Sequence, residues 1–359
     1  MKIAVIGFND MISMPYMRFY KRTLESFGVK ADYYCWNRKG NGEIKKEENV
    51  TTINIKCPEN RFGKIFAMLK WRRTILKELR NIKYEKIILL TSLPAVLLGR
   101  YLLKHYRNNY ILDIRDFTYE NLDIYKKVMK RIVEHSFTTF ISSPGFRRIL
   151  LTQKNVMQIH NIDVNSAEYG APDLNKKILT LGYIGLIAYD KSCIMVIEKL
   201  SGTKYKLLFR GIYKNSILQD FCKVNGINGV RFEGKFSSEE KNKIYENIDI
   251  VNCVYGVKGE PYKQYALPNR LYDALYCCRP IFALKGTALA EYIEKYGIGI
   301  TVAEEDDFEQ KLNDYVSAFD PCEFEKRILE CRKNVETEQA AAIKKISLFA
   351  GIDNGESFK

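Results

Sequence analysis

Short apolar runs alternate with amphipathic stretches along the whole chain, the pattern of βα units wound around parallel sheets. In the first half, runs suited to strands fall at 2–8, 31–36, 51–55, 86–91, 110–114 and 138–142. Helical periodicity marks 15–27, 63–81, 94–106 and 122–135 between them. The period then disappears in a polar, turn-rich segment, NIDVNSAEYGAPDLNKK at 161–177, which reads as a linker. Alternation restarts with strands expected at 178–185, 206–209, 230–232, 248–253, 280–283 and 299–302. Helices are expected near 190–200, 214–225, 238–246, 268–278 and 287–296, and from about 307 to 350 the pattern is helical throughout. The expectation is an α/β protein of two Rossmann-like, doubly wound domains, 1–165 and 178–333, joined by a linker at 166–177. A helical tail, 334–359, would pack back toward the first domain. In sheets of this kind ligands lie at the carboxyl ends of the strands, so each loop after a strand is a candidate site.

Length and composition agree with that picture. A chain of 359 residues, 46% hydrophobic and 28% charged, has room for two globular domains. Its longest stretch free of Asp, Glu, Lys and Arg runs only from Ile87 to Gly99, with Pro94 inside. A spanning helix needs about 18 apolar residues or more, so no membrane crossing is expected. The opening MKIAVIGFND reads as a first strand and not as a secretory leader, which points to a cytoplasmic chain. Nine scattered cysteines, two of them adjacent at Cys277 and Cys278, suit free thiols better than disulfides or zinc. With three histidines besides, no metal site is expected.

Charge changes the picture more. The net charge is +14, and residues 1–165 hold 30 basic against 15 acidic side chains, a net of +15. The remainder holds 27 against 28. A half so basic is suited to polyanions. Between Phe62 and Arg80, Ile65, Met68, Leu69, Ile75, Leu76 and Leu79 form the expected buried stripe of a helix. Lys70, Arg73, Lys77 and Arg80 line the opposite face, with Phe66 and Trp71 at the border; a second helix carries Lys126, Lys127, Lys130 and Arg131. Such helices lie on anionic membranes, each basic residue contributing ~1 kcal/mol near the headgroups. The membrane-facing set is therefore expected to be Phe66, Lys70, Trp71, Arg73, Lys77 and Arg80, the alternative being a plain solvated helix face. No nucleic-acid-reading motif is present, and no nucleic-acid partner is expected.

Two loops and one helix of the second half carry candidate chemistry. Gly182-Tyr-Ile-Gly185 closes a strand and Lys191 opens the following helix, where free N–H groups and a positive dipole end suit a phosphate. Arg210-Gly211 repeats the arrangement after the next strand. In Leu267-Pro-Asn-Arg-Leu-Tyr-Asp273, Pro268 suits a helix start. Asn269 and Arg270 then sit in the first turn, and Asp273 follows about one turn along. A carboxylate there can accept both hydroxyls of a ribose, or simply complement the helix dipole.

The run PNRLYDALYCCRPIFA resembles the donor-site helix of GT-B glycosyltransferases of family 4, typically P-x-K-x-x-E-x-x-A-x-G-x-P-V-I. GYIGLIAYDKS resembles that family's first loop in the nucleotide domain, with its glycine and phosphate-binding lysine. VRFEGKF, ending at Phe236, resembles the turn that flanks the base, and Asp249–Tyr255 the strand after it. In the first half the resemblance rests on element order, on Asp113-Ile-Arg-Asp116 and on Ser142-Ser-Pro-Gly-Phe146; His160-Asn-Ile-Asp163 resembles the family's entry into the interdomain crossing. The departures are specific. Of two glutamates usual in the family, the first falls on Tyr265 and the second on Asp273, with Glu260 as a more distant acid. Asn9-Asp10-Met11 replaces the glycine pair after the first strand, and Cys278-Arg279 replaces the small glycine before Pro280.

The resemblance implies a GT-B architecture, two Rossmann-like domains facing across a cleft, of the surface or capsular polysaccharide type. It implies transfer of a sugar from a nucleotide-sugar donor to a lipid-linked or oligosaccharide acceptor, by a metal-independent and retaining route that needs no cofactor. The lack of a DxD motif agrees with metal independence. Gly185, Lys191, Arg210, Gly211, Phe236, Pro268, Asn269, Arg270 and Asp273 would bind the donor, and Asn9 and Asp10 would face the acceptor. An inverting course would need a base, for which Asp116 and then Asp10 are the candidates. Two alternatives stay open: a nucleotide-sugar epimerase of the same fold, and a catalytically weak sugar-nucleotide-binding subunit.

Overall fold

The central apolar runs become strands buried on both faces, as parallel sheets require. The computed structural model describes residues 1–11, 14–40, 47–116, 119, 122–162, 169–237, 239–257 and 263–352. Glu260, Asp163 and linker residues 166–168 lie outside the described residues. Two units make up the chain. One is Met1–His160 together with the segment from Glu338 onward, and the other is Asn161–Thr337.

The first unit runs β1 (Ile3–Ile6), α1 (Pro15–Ser26), β2 (Ala31–Asn37), β3 (Val50–Asn54), α2 (Arg61–Ile82), β4 (Lys86–Leu90) and α3 (Ser92–His105). It continues through β5 (Tyr110–Ile114), α4 (Asp123–Glu134), β6 (Thr138–Ile141) and β7 (Val156–Gln158). All seven strands are parallel, in the order β3-β2-β1-β4-β5-β6-β7, with Ile3 opposite both Ala31 and Lys86. Strand β7 is not foreseen by the pattern. It is three residues long, half-buried throughout, and has no alternation to read.

Helix α2 corrects the expected faces. Asn60 caps its start by accepting the Gly63 N–H at 2.7 Å. Its buried stripe is Ala67, Met68, Trp71, Ile75, Leu76 and Leu79. Trp71, expected at the membrane, is instead fully buried, stacked on Trp36 at 6.1 Å and edge-on to Phe8 at 4.9 Å. Its place one turn from both Ala67 and Ile75 puts it on their face. Ile65 and Leu69, expected inside, are exposed, as are Phe62 and Phe66.

The second unit runs β8 (Leu179–Ile187), α5 (Asp190–Leu200), β9 (Tyr205–Tyr213), α6 (Ile217–Val224), β10 (Val230–Glu233), α7 (Lys241–Glu246) and β11 (Ile250–Asn252). It ends with α8 (Asn269–Tyr276), β12 (Ile281–Leu284), α9 (Ala288–Tyr296), β13 (Gly299–Val302) and α10 (Phe308–Ser317). Its six parallel strands are ordered β10-β9-β8-β11-β12-β13.

The helical end is two helices. A proline disfavours helical backbone in the residue before it, and the break, residues 318–320, ends at Asp320 ahead of α11 (Pro321–Phe349). The first part of α11 sends Phe324, Ile328, Cys331 and Val335 into the second unit's core. Its last part sends Ala342, Ile346 and Phe349 against Val5, Tyr20 and Leu24 in the first. At the boundary, the His160 N–H donates to Gln339 Oε1 at 2.9 Å, and His160 Nε2 lies 2.7 Å from Glu338 Oε2. All nine cysteines are free thiols, seven of them buried. Among the described residues no helix is long and apolar enough to cross a membrane.

Candidate functional site

In the second sheet the direction of winding reverses beside β8, with β9 and β10 on one side and β11 to β13 on the other. Such a switch point opens a crevice at the carboxyl ends of the two strands involved, here β8 and β11. Tyr183 of β8, Cys253 just past β11 and Arg270 in the first turn of α8 meet there. The Arg270 guanidinium lies 3.4 Å over the Tyr183 ring, a close cation–π contact. Arg270 is 7% exposed, and its Nη1 has no hydrogen-bond partner. Burial pushes the neighbouring Cys253 thiol up to about 11 against the pull of the guanidinium.

One turn along α8, Asp273 is buried, ion-paired with Lys241 of α7, and accepts a hydrogen bond from Tyr245 Oη at 3.1 Å. Burial still raises its pKa above the ordinary carboxylate value, with Lys241 and Tyr245 opposing. A third cation, Arg279, is held by the carbonyls of Gly170, Cys277 and Cys278 at 2.9–3.1 Å. The unpartnered Arg270 Nη1 is thus a buried donor left over, which costs about 1–3 kcal/mol.

Several expected donor residues are placed otherwise than foreseen. Gly185 and Gly211 do not sit in loops. Strands β8 and β9 stay paired through Ile187 and Tyr213, and the two glycines face each other in the ladder. Both have positive φ, +124° and +147°, and a Cβ on Gly211 would fall 1.8 Å from the Gly185 carbonyl oxygen. Arg210, expected at the donor phosphates, pairs with Glu233 and Glu240 at 3.1 Å each, while its buried Nε has no hydrogen-bond partner. Its guanidinium stands 6.0 Å from the ring of the half-buried Phe236. Asp273, expected at the ribose, faces Lys241 and Tyr245. Arg270 is buried against the Tyr183 ring in the first turn of α8. Pro268 is the residue before α8, Asn269 its exposed first residue, and Lys191 an exposed cation in the first turn of α5.

In the first unit Asn9, Asp10 and Asp116 follow β1 and β5, strands separated in the sheet by β4 alone. Asp10 and Asp116 are exposed, and Asn9 Oδ1 accepts from Arg38 Nη1 at 3.3 Å. Behind them Asp113 and Arg115 form a buried two-pronged pair at 2.7 and 2.8 Å. The Arg115 guanidinium lies 5.3 Å from the Tyr16 ring, whose hydroxyl is pushed up by burial first and then by Asp116 and Asp113. The roles of Tyr183, Lys241, Tyr245 and the Asp113–Arg115 pair were not apparent from sequence. Lys241 reads as one more lysine in the polar KNKIYE, and Tyr183 is hidden between two glycines.

No known family profile matches the sequence, and no curated protein matches it. Solved structures do. A sucrose-phosphate synthase from Thermosynechococcus elongatus superposes with a TM-score of 0.73 at 14% identity, over 98% of each chain. The Anabaena protein HepE, in complex with UDP and glucose, gives 0.68 at 13% identity, over 97% of this chain and 99% of its own. The lipopolysaccharide outer core galactosyltransferase WaaB gives 0.66 at 13% identity, over 95% and 100%. At such identities the likeness is one of fold, and the fold of this chain is GT-B.

Proposed function

We propose that the protein is a glycosyltransferase that takes its sugar from a nucleotide diphosphate donor. The observation that carries this reading is the buried Arg270 guanidinium, stacked on Tyr183 with one donor unpaired, at the switch point of a GT-B nucleotide-type sheet. The arriving diphosphate supplies the missing anion. As the sugar–phosphate bond breaks, negative charge grows on the leaving oxygen; Arg270, Lys191 and the start of α8 stabilise that charge without a metal ion. HepE was solved with UDP and glucose, which makes a uridine donor the first to try. The reaction is retaining in this reading, with the departing phosphate oxygen taking the acceptor proton. Asp116 and Asp10 stand at the acceptor side.

The acceptor is a lipid-linked saccharide of surface-polysaccharide assembly, met where the basic first unit rests on the inner face of an anionic membrane. The net +15 of residues 1–165 and the exposed cations of α2 support that contact.

Titration with UDP and turnover on UDP-, GDP- and dTDP-sugars test the proposal, with donor hydrolysis as the readout when no acceptor is supplied. Arg270→Lys keeps the charge but loses the planar fork on Tyr183, and UDP affinity is expected to fall about tenfold or more with the fold intact. Unchanged affinity removes Arg270 from the site. An absence of turnover on every donor, with and without acceptor, overturns the enzyme reading. The anomeric configuration of the product, read by NMR, checks retention.

A further inference from the structure

Helix α2 carries seven basic residues and a single acid, Glu78. Along its exposed side, Phe62 and Phe66 are 77% and 71% exposed, with Ile65 and Leu69 beside them. The same side continues into Arg73, Lys77 and Arg80, so one half of the stripe is apolar and the other cationic. The cationic half is hollowed into a groove of about 360 Å³ lined by Arg72, Arg73, Leu76, Lys77, Arg80 and Asn81. Arg72 is anchored by its Nε–H on the Leu97 carbonyl at 2.7 Å, which fixes its guanidinium at the groove. Arg80 is steadied over the Tyr101 ring at 5.9 Å. Arg73 and Lys77 make no hydrogen bond or ion pair with any described residue.

We propose that this groove is a receptor for a phosphoryl group carried on a lipid, with the apolar half of α2 as the part that enters the bilayer. The inference rests on the membrane contact proposed above and narrows it to one helix and one headgroup chemistry. Three cations beside a fourth that is held in place match the several oxygens of a phosphomonoester or diphosphate, which arginine engages by paired N–H groups. The lipid source follows from continuity. At 1.5 Å per residue, Phe62 and Arg80 stand about 27 Å apart along one stripe. A helix lying in the interface can therefore seat its rings among the acyl chains while its cations reach phosphates. A receptor for a free soluble phosphate has no use for four exposed apolar side chains next to it.

The test uses the full chain and vesicles of phosphatidylcholine alone, with phosphatidylglycerol, or with phosphatidic acid, the last two matched for surface charge. Inorganic pyrophosphate is the soluble competitor. Binding is expected to be strongest to phosphatidic acid, to be displaced by pyrophosphate, and to drop about tenfold or more in Arg73→Glu/Lys77→Glu. Phe66→Ser should weaken vesicle binding while leaving pyrophosphate affinity unchanged. Equal binding to the two anionic vesicles, unaffected by pyrophosphate, would overturn the receptor and leave only diffuse membrane attraction. Pyrophosphate binding without any preference for phosphatidic acid would overturn the lipid source. UDP titration of the same variants keeps the two readings apart, because the donor site is in the other unit and should be unaffected.

Discussion

Asp273 shows how burial redirects a residue whose sequence position suggests a ligand. Its carboxylate faces Lys241 and Tyr245 and not solvent, so Asp273→Asn acts first on stability. Breaking a buried ion pair costs 3–5 kcal/mol in the strong cases, but here burial already disfavours the charged carboxylate and Lys241 is partly exposed, so a loss of about 1 kcal/mol or less is expected. The pH dependence has a definite sign. Its folded pKa is raised, so the folded state holds the proton more tightly than the unfolded chain. The stability this contributes is present below the unfolded value near 3.9 and is lost as pH rises through the folded value. Urea unfolding between pH 3 and 7 should show that decline in the parent and not in Asp273→Asn. An identical slope in both would show that Asp273 does not titrate differently on folding.

The ends of β8 and β9 hold the second lesson. Their pairing past Gly185 and Gly211 depends on two positive-φ glycines that press backbone against backbone. Gly211→Ala must move the Gly185 carbonyl or give up the last rungs of the ladder, and a loss of about 3 kcal/mol is expected from the denaturation midpoint. Most of the fold was legible because βα alternation survives in single residues' hydrophobicity. The lengths of β8 and β9 were not, since a glycine reads as the end of a strand until its partner across the ladder is known. The α8 region was legible as a pattern and misleading in its details. Cys278 takes φ +50° where the resemblance has glycine, so the turn survives a residue change that hides it. The faces of α2 were misread for a similar reason. Period alone cannot say where a helix stops covering its sheet, and Ile65 and Leu69 lie on turns left exposed.

Across the whole chain, the first unit is assembled from two distant stretches. Ala342, Ile346, Phe349 and Ala350 complete a core that otherwise belongs to residues before 160. Residues 1–160 expressed alone are therefore expected to bind a hydrophobic dye and to melt without a sharp transition. A peptide spanning 338–352, added in trans, should restore cooperativity; a sharp transition without it would mean that the returning helix is dispensable to that core.

That divided construction also sets an order in time. The strands made first cannot receive their final cover until Asn161–Thr337 has been synthesised. At 5–20 residues per second that interval lasts roughly 10–35 s. During it the face formed by Val5, Tyr20 and Leu24 waits open, while the intervening unit gathers both of its own sheet faces as it emerges. The half of the protein that leaves the ribosome first is thus the half finished last, and chaperone dependence should concentrate there.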